Sequence, residues 1–425
     1  MKRISWIFPV LLLVAMVALG LCACSEEEKS APTSVSAYKS TGNYTDLGED
    51  QLSWEGLEAL PKKRSDMTPQ EAREAVMAFW HYCKTALWMP DDRYEIYNGD
   101  VLKRWVEPGG VYGGLPYVSS ATGNIYRLMD FMDPETGVVN VKEAGREPLD
   151  FGGMCSSGCY WAWARVMNSA DYRWCCDSVV SNGYLRVGPY TYDDYWTRYV
   201  EVGGQGTDDV CAENGEQVMY QSYAAMQIGD GGITLWEKNG HTNMCSVAPT
   251  VVYNEDGTIN GEESWLCIIE QGAIWEEGVS TGGIPYQYER SIERKFTFNK
   301  LFTGAYLPFT FGELIGTDPI EETEVTFSYS GETITKEQLF SAKVTSNYNI
   351  SDVYIYVYDA AGNEIYKHVD RARVPSTREV TIDKLANLVY TWGSWDNVKV
   401  GDTVKVEVQL GTGERPVLWE GKLAQ

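Results

Sequence analysis

The sequence predicts an α+β domain followed by an all-β domain. Three observations carry that reading. A capped amphipathic helix opens the ordered part at Thr68-Pro69-Gln70-Glu71. Helical spacing gives way near Asp230 to strand-like runs, so helices come first and an antiparallel sheet second. Beyond Thr317-Asp318-Pro319 the alternating runs Val325-Phe327-Tyr329, Val353-Ile355-Val357 and Val404-Val406-Val408-Leu410 dominate. About seven short strands in that last stretch point to a β-sandwich over 318–425.

Residues 1–24 read as a leader rather than as part of the fold. Lys2 and Arg3 precede an apolar run from Ile4 to Leu21, which ends in Leu21-Cys22-Ala23-Cys24. The cysteine after the small residues resembles a bacterial lipobox. It implies lipidation of Cys24 and an extracytoplasmic protein anchored to a bacterial membrane, at the cell surface or on the periplasmic face. Ser25-Glu26-Glu27-Glu28 follows, and residues 25–64 are polar without a sustained period, as expected of a flexible tether. Loss of Lys2 and Arg3 with the leader takes the formal net charge from −25 to −27. So acidic a chain repels nucleic acid, which excludes it as a partner. No second stretch is apolar for long enough to span a bilayer.

The first helix has Thr68 as N-cap, Pro69 at N1 and Glu71 at N3, and Ala72, Val76, Phe79, Trp80 and Cys83 recur on one face. Pro90 should end it. Tyr112-Gly113-Gly114-Leu115-Pro116-Tyr117 is the useful piece of the next segment. From Ser119 to Arg146 a long loop with a short helix around Tyr126–Met132 is expected. Gly152-Gly153-Met154-Cys155-Ser156-Ser157 then reads as a glycine turn entering a helix over roughly 156–168, with Ser156 and Ser157 placed to cap it. A second helix is expected from about Gly215 to Met226. Strands follow at Ile233–Trp236, His241–Tyr253 and Ser264–Gln271. In the C-terminal part, Tyr354, Tyr356 and Tyr358 share a strand face. They would serve as a sugar-binding platform or, more simply, pack on a neighbouring strand or domain.

Cys155 is the candidate nucleophile, because a helix start favours thiolate and a thiolate needs a base nearby. The chain has three histidines, His81, His241 and His368. His81 falls one residue off an apolar stripe, whereas His241 opens a strand just after a glycine turn. A hairpin centred on residues 255–256 would set His241 opposite Glu270, where a carboxylate or amide orients the imidazole. Glu270 and Gln271 point to opposite faces, so one of the two can act; Glu270 is favoured. Two other classes compete. Cys155-x3-Cys159 with His241-x3-Cys245 could hold zinc, although no cofactor or metal is expected. A non-catalytic surface lipoprotein could bind cell-wall or glycan material through its aromatics, with structural cysteines. Apart from Cys22 and Cys24, eight cysteines remain, and export would permit disulfides among them.

In motif order the chain resembles the NlpC family of papain-like cell-wall peptidases and the related CHAP amidases. The segments that carry the resemblance are Gly114-Leu115-Pro116-Tyr117, Met154-Cys155-Ser156-Ser157, Ile228-Gly229-Asp230, Gly240-His241-Thr242 and Ile269-Glu270-Gln271. It implies a papain-like domain over 65–317. It also implies a Cys155 nucleophile, His241 as base and acid, and Glu270 or Gln271 as orienting residue. Tyr117 would stabilise the oxyanion together with the Cys155 backbone N–H. The implied substrate is an amide bond in peptidoglycan peptides. Met154 departs from the family aspartate and puts the specific bond in doubt. Ser157 stands in place of a glycine, and the gap from Tyr117 to Cys155 is longer than the family's.

Overall fold

The structure, a computed structural model, describes residues 54–98, 101–106, 108, 112–115, 117, 122–141, 151–168, 184–192, 206–236, 239–271, 293–373, 376–384 and 387–425. The expected leader, Cys24, residues 25–53 of the expected tether, Pro116 and the dipeptide Cys175-Cys176 lie outside the described residues, whereas residues 54–64 hold a short helix, Trp54–Glu58, with Leu57 buried. Among the described residues, no helix is long and apolar enough to cross a membrane.

The expected fold class is overturned. In place of a papain-like α+β domain followed by a β-sandwich, the chain forms a mostly-β fold, about 25% helical, with four small sheets in a four-bladed, propeller-like arrangement. These sheets have three, six, three and six strands, and a two-stranded ribbon, Tyr94–Asn98 with Val101–Val106, stands apart from them. The reason for the error is visible in the strands that the sequence hid. Leu87–Pro90, Tyr112–Gly113, Val138–Val139 and Leu185–Arg186 are two to four residues long. A period of two cannot be read over so few residues. Several helices, in turn, are single turns such as Gly312–Ile315 and Lys336–Leu339.

The Pro69–Thr85 helix forms as its caps require. Thr68 Oγ1 accepts from the Glu71 N–H at 3.3 Å, and Glu71 Oε2 accepts from the Thr68 N–H at 2.8 Å. Ala72, Val76, Phe79, Trp80 and Cys83 are all buried along it. It stops before Pro90, because the chain turns at Ala86 into the strand Leu87–Pro90.

The sheet that matters for chemistry has six antiparallel strands. Their order is Glu293–Thr297, Trp265–Glu270, Asn239–Thr250, Gly231–Trp236, Leu307–Thr310 and Leu185–Arg186. Three strands separate Glu293–Thr297 from Leu307–Thr310, which is about 19 Å across a flat sheet. Yet the Phe296 and Tyr306 rings meet edge to face at 6.2 Å between centroids. The sheet is therefore strongly curled, and the short helix Phe298–Thr303 closes the gap.

The C-terminal six-stranded sheet has Ile350–Tyr358 at its centre, between Thr403–Leu410 and Glu364–Arg371. Its apolar face buries Val353, Ile355, Val357, Val404, Val406 and Val408. The tyrosine face is a stacked ladder, with centroids 6.1 Å apart from Tyr354 to Tyr356 and 6.3 Å from Tyr356 to Tyr358. It is partly covered. Tyr354 Oη donates to Asp130 at 2.8 Å, and the Arg415 guanidinium lies 3.9 Å from the Tyr354 ring centre. Packing on a neighbouring element thus accounts for Tyr354. The short helix Ile125–Asp130 supplies that element, and its Arg127 donates to the Ala372 carbonyl at 2.6 Å.

Candidate active site

The Cys155–Trp163 helix starts at the predicted glycine turn. Its N-cap, Met154, contributes no capping side chain. Ser157 reaches back instead: its Oγ accepts from the Met154 N–H at 3.0 Å and donates to the Met154 carbonyl at 3.1 Å. Gly158 sets how close this helix comes to its neighbours. A Cβ there would lie 2.5 Å from the Trp80 ring and 3.1 Å from Gln271 Cβ. Only a residue without a side chain lets the Cys155 turn approach both the first helix and the end of the Glu270 strand.

The Ile228-Gly229-Asp230 turn ties that helix to the sheet. Trp163 donates its indole N–H to the Gly229 carbonyl at 2.8 Å. Arg73, buried, donates to the Ile228 carbonyl and to Asp230 Oδ1, both at 2.7 Å. Asp230 Oδ2 accepts from the Gln227 N–H at 2.7 Å. The turn therefore clamps two helices onto the entry to the Gly231–Trp236 strand, and the next strand carries His241.

Asn243, rather than His241, stands directly opposite Glu270. The return strand is delayed by the turn around Asn260–Ser264, and bulges then recover part of the slip between Thr250 and Cys245. The net displacement is two residues, so the face is preserved. His241 meets Glu270 on the diagonal, with Nε2 and Oε2 2.6 Å apart. The other group hydrogen-bonded to His241 is Cys155, which leaves Nδ1 for the thiol. Cys155, His241 and Glu270 thus form one continuous row.

Electrostatics reinforce the row. Burial works against a charged imidazole. The Glu270 carboxylate and the hydrogen bonds to Cys155 and Glu270 outweigh it, and hold His241 well above the usual histidine range. Burial also works against the Glu270 carboxylate, but His241 and Arg294 bring it down to about 2. Arg294 donates to Glu270 Oε1 at 2.7 Å, so both carboxylate oxygens are engaged.

Gln271 is turned the other way. Its Oε1 accepts from Lys84 Nζ at 2.7 Å, and its Nε2 donates to the Leu115 carbonyl at 2.8 Å. It secures the Gly114-Leu115 segment and does not touch His241. Tyr117 pairs through its backbone with Gly153, two residues before Cys155. Two residues that sequence reasoning missed enter the site, Arg294 and Tyr306. Arg294 lies in the mixed run Glu293-Arg294-Lys295-Phe296, which gives no motif; Tyr306 is one of 28 tyrosines. Direct pairing of its strand with the Glu270 strand brings Arg294 in, and the curl of the sheet brings in Tyr306.

The remaining cysteines differ. Cys83, Cys159, Cys211 and Cys245 are buried, unbridged thiols, and burial raises the pKa of each. Cys155 is likewise unbridged. Cys159 Sγ faces the Thr242 carbonyl at 3.8 Å and Cys245 Sγ the Val247 carbonyl at 3.4 Å. Among the described residues, no group of three or more His, Cys, Asp or Glu is placed to hold a metal. Comparison of the chain with protein-family models, curated proteins and solved structures gives no match.

Proposed function

We propose that the protein is a cysteine hydrolase that cleaves amide bonds. The observation that carries this reading is the shared imidazole: His241 is hydrogen-bonded to Cys155 on one side and to Glu270 on the other. A protonated His241 beside the thiol favours thiolate on Cys155, the reactive form. Cys155 Sγ attacks the substrate carbonyl carbon and the carbonyl π pair moves to oxygen. The Cys155 backbone N–H, at a helix start, and Tyr117 are the expected donors to that oxygen. His241 gives its proton to the leaving nitrogen as the C–N bond breaks. It then takes a proton from water as water attacks the thioester, and the thiolate is regenerated. Glu270 holds the ring in orientation throughout, itself fixed by Arg294.

The order of motifs, rather than the fold, supports peptidoglycan peptides as the substrate class, with lipid on Cys24 holding the enzyme to a membrane. The test is alkylation of the full chain by iodoacetamide across pH, mapped by mass spectrometry. Rapid labelling of Cys155 near neutral pH, slowed at least tenfold by His241→Ala, supports the reading. Hydrolysis of a synthetic wall peptide with a γ-D-glutamyl bond to a diamino acid would then define the substrate. Labelling of Cys155 no faster than that of the half-exposed Cys267 would sink the hydrolase reading and favour a binding role with structural cysteines.

A further inference from the structure

Beside the Cys155–His241–Glu270 row stands a phenol without a role. Tyr306 directly precedes the strand Leu307–Thr310, where Leu307 pairs with Ile233. Thr234, the next residue along, pairs with His241. Strand alternation puts Tyr306, Thr234, His241, Asn243, Glu270 and Arg294 on one face of the curled sheet. The ring is held firmly. The Tyr306 carbonyl accepts from Tyr223 Oη at 2.8 Å, and Phe296 meets the ring edge to face. Gly304 makes room for it: a Cβ there would lie 2.9 Å from the ring.

The hydroxyl end is different. Among the described residues it has no hydrogen-bond partner, and the residue is half-buried rather than sealed in. His241, Glu270 and Arg294 share its face of the curled sheet, so it stands beside the reacting groups, and burial is the main cause that keeps it protonated. Both ring nitrogens of His241 are already committed, to Glu270 and to Cys155. The phenol O–H is therefore left for whatever enters between.

We propose that Tyr306 is a further catalytic residue, whose O–H donates a hydrogen bond to the substrate carbonyl oxygen as that oxygen becomes an oxyanion. The inference rests on the cysteine-hydrolase reading above. As the Cys155 S–C bond forms, the π electrons of the carbonyl move onto oxygen, and Tyr306 stabilises that charge without giving up its proton. When the C–N bond breaks, the pair returns to the carbonyl, and the proton on the leaving nitrogen comes from His241.

Two reactions of Cys155 separate this role from any effect on the thiol itself. Alkylation by iodoacetamide displaces iodide and forms no oxyanion, whereas acylation by p-nitrophenyl acetate passes through one. In the full chain, Tyr306→Phe should leave the alkylation rate of Cys155 within about twofold at every pH and slow its acylation by about 10- to 100-fold. Replacement of Tyr306 by 3-fluorotyrosine, a near-isosteric and stronger donor, should keep or raise the acylation rate. Unchanged acylation in Tyr306→Phe, an equal fall in both rates, or slower acylation with 3-fluorotyrosine overturns the proposal. The first of these, with alkylation still fast, leaves the hydrolase reading standing. Slow alkylation of Cys155 in the unaltered protein ends both.

Discussion

A histidine–carboxylate pair sits in each of the two six-stranded sheets. His241 Nε2 is 2.6 Å from Glu270, and His368 Nε2 is 2.8 Å from Asp370. Their surroundings separate them. The His241 side chain keeps 16% exposure and turns its other nitrogen to a thiol at a helix start. His368 keeps 2%, with Tyr366 Oη 3.5 Å from its Nδ1 and Phe340 edge-on at 5.0 Å. Asp370 is also fully occupied. It accepts from the Asp383 N–H at 3.0 Å and from Asn387 Nδ2 at 2.8 Å, so it anchors both residues. An oriented imidazole is thus not a site by itself. The thiol on its other nitrogen and its greater side-chain exposure set His241 apart from His368.

The sharpest way to break this comparison is to remove the nucleophile. Cys155→Ala should lower amide hydrolysis by about 10³-fold or more while leaving the melting temperature near that of the unaltered chain. Residual activity within tenfold would dissolve the contrast between the two pairs. Asp370→Asn should do the opposite. It removes the charge and one of the two acceptor oxygens that His368, Asp383 and Asn387 share at a buried position, at a cost of about 2–4 kcal/mol by urea unfolding. Activity per folded molecule should stay within twofold; a large loss would make the second pair functional.

Glu270→Gln should be mixed, with hydrolysis down by about 10- to 100-fold and a pH-dependent loss of stability. Burial opposes the Glu270 carboxylate, but His241 and Arg294 hold it down to about 2, against a usual 4.5. Its contribution is present above about pH 4.5 and fades as pH falls toward 2, on the order of 3 kcal/mol in full. His241 has the reverse sign. Its raised value means that its share is whole below its ordinary 6.5 and is lost as pH rises through the folded value. The stability gap between the unaltered chain and Glu270→Gln should therefore be widest between about pH 4.5 and 6.5 and close in acid. A gap that is flat with pH would show that the carboxylate charge does not act on His241. The smallest effect expected is that of Gly158→Ala, about 1–3 kcal/mol from pressure against Trp80, with reduced alkylation of Cys155 as the helix start shifts. A silent substitution would mean that this contact does not set the position of Cys155.

Parts of the site were legible because they are local. The Thr68–Glu71 capping box and the glycine turn before Cys155 each show in a handful of adjacent residues, and so does the strand that carries His241, although it begins at Asn239 rather than at His241. The fold class was not legible. The strands that make the molecule mostly β include several of two to four residues, whose partners are distant in the chain. Nothing local distinguishes such strands from loops.

By itself, the sequence determined the chemistry on offer: a thiol at a helix start, one histidine in a strand, and a carboxylate next to an amide one strand later. Strand alternation alone also dictated that Glu270 and Gln271 part company. Tertiary structure decided which of the two reaches His241, and sent Gln271 to Lys84 and Leu115. It also set the two-residue slip that puts Asn243 opposite Glu270, paired the Arg294 strand beside Glu270 and brought in Tyr306 across the curl. Bulges and sheet curvature arise from packing summed over many distant residues, so no short stretch of sequence encodes them.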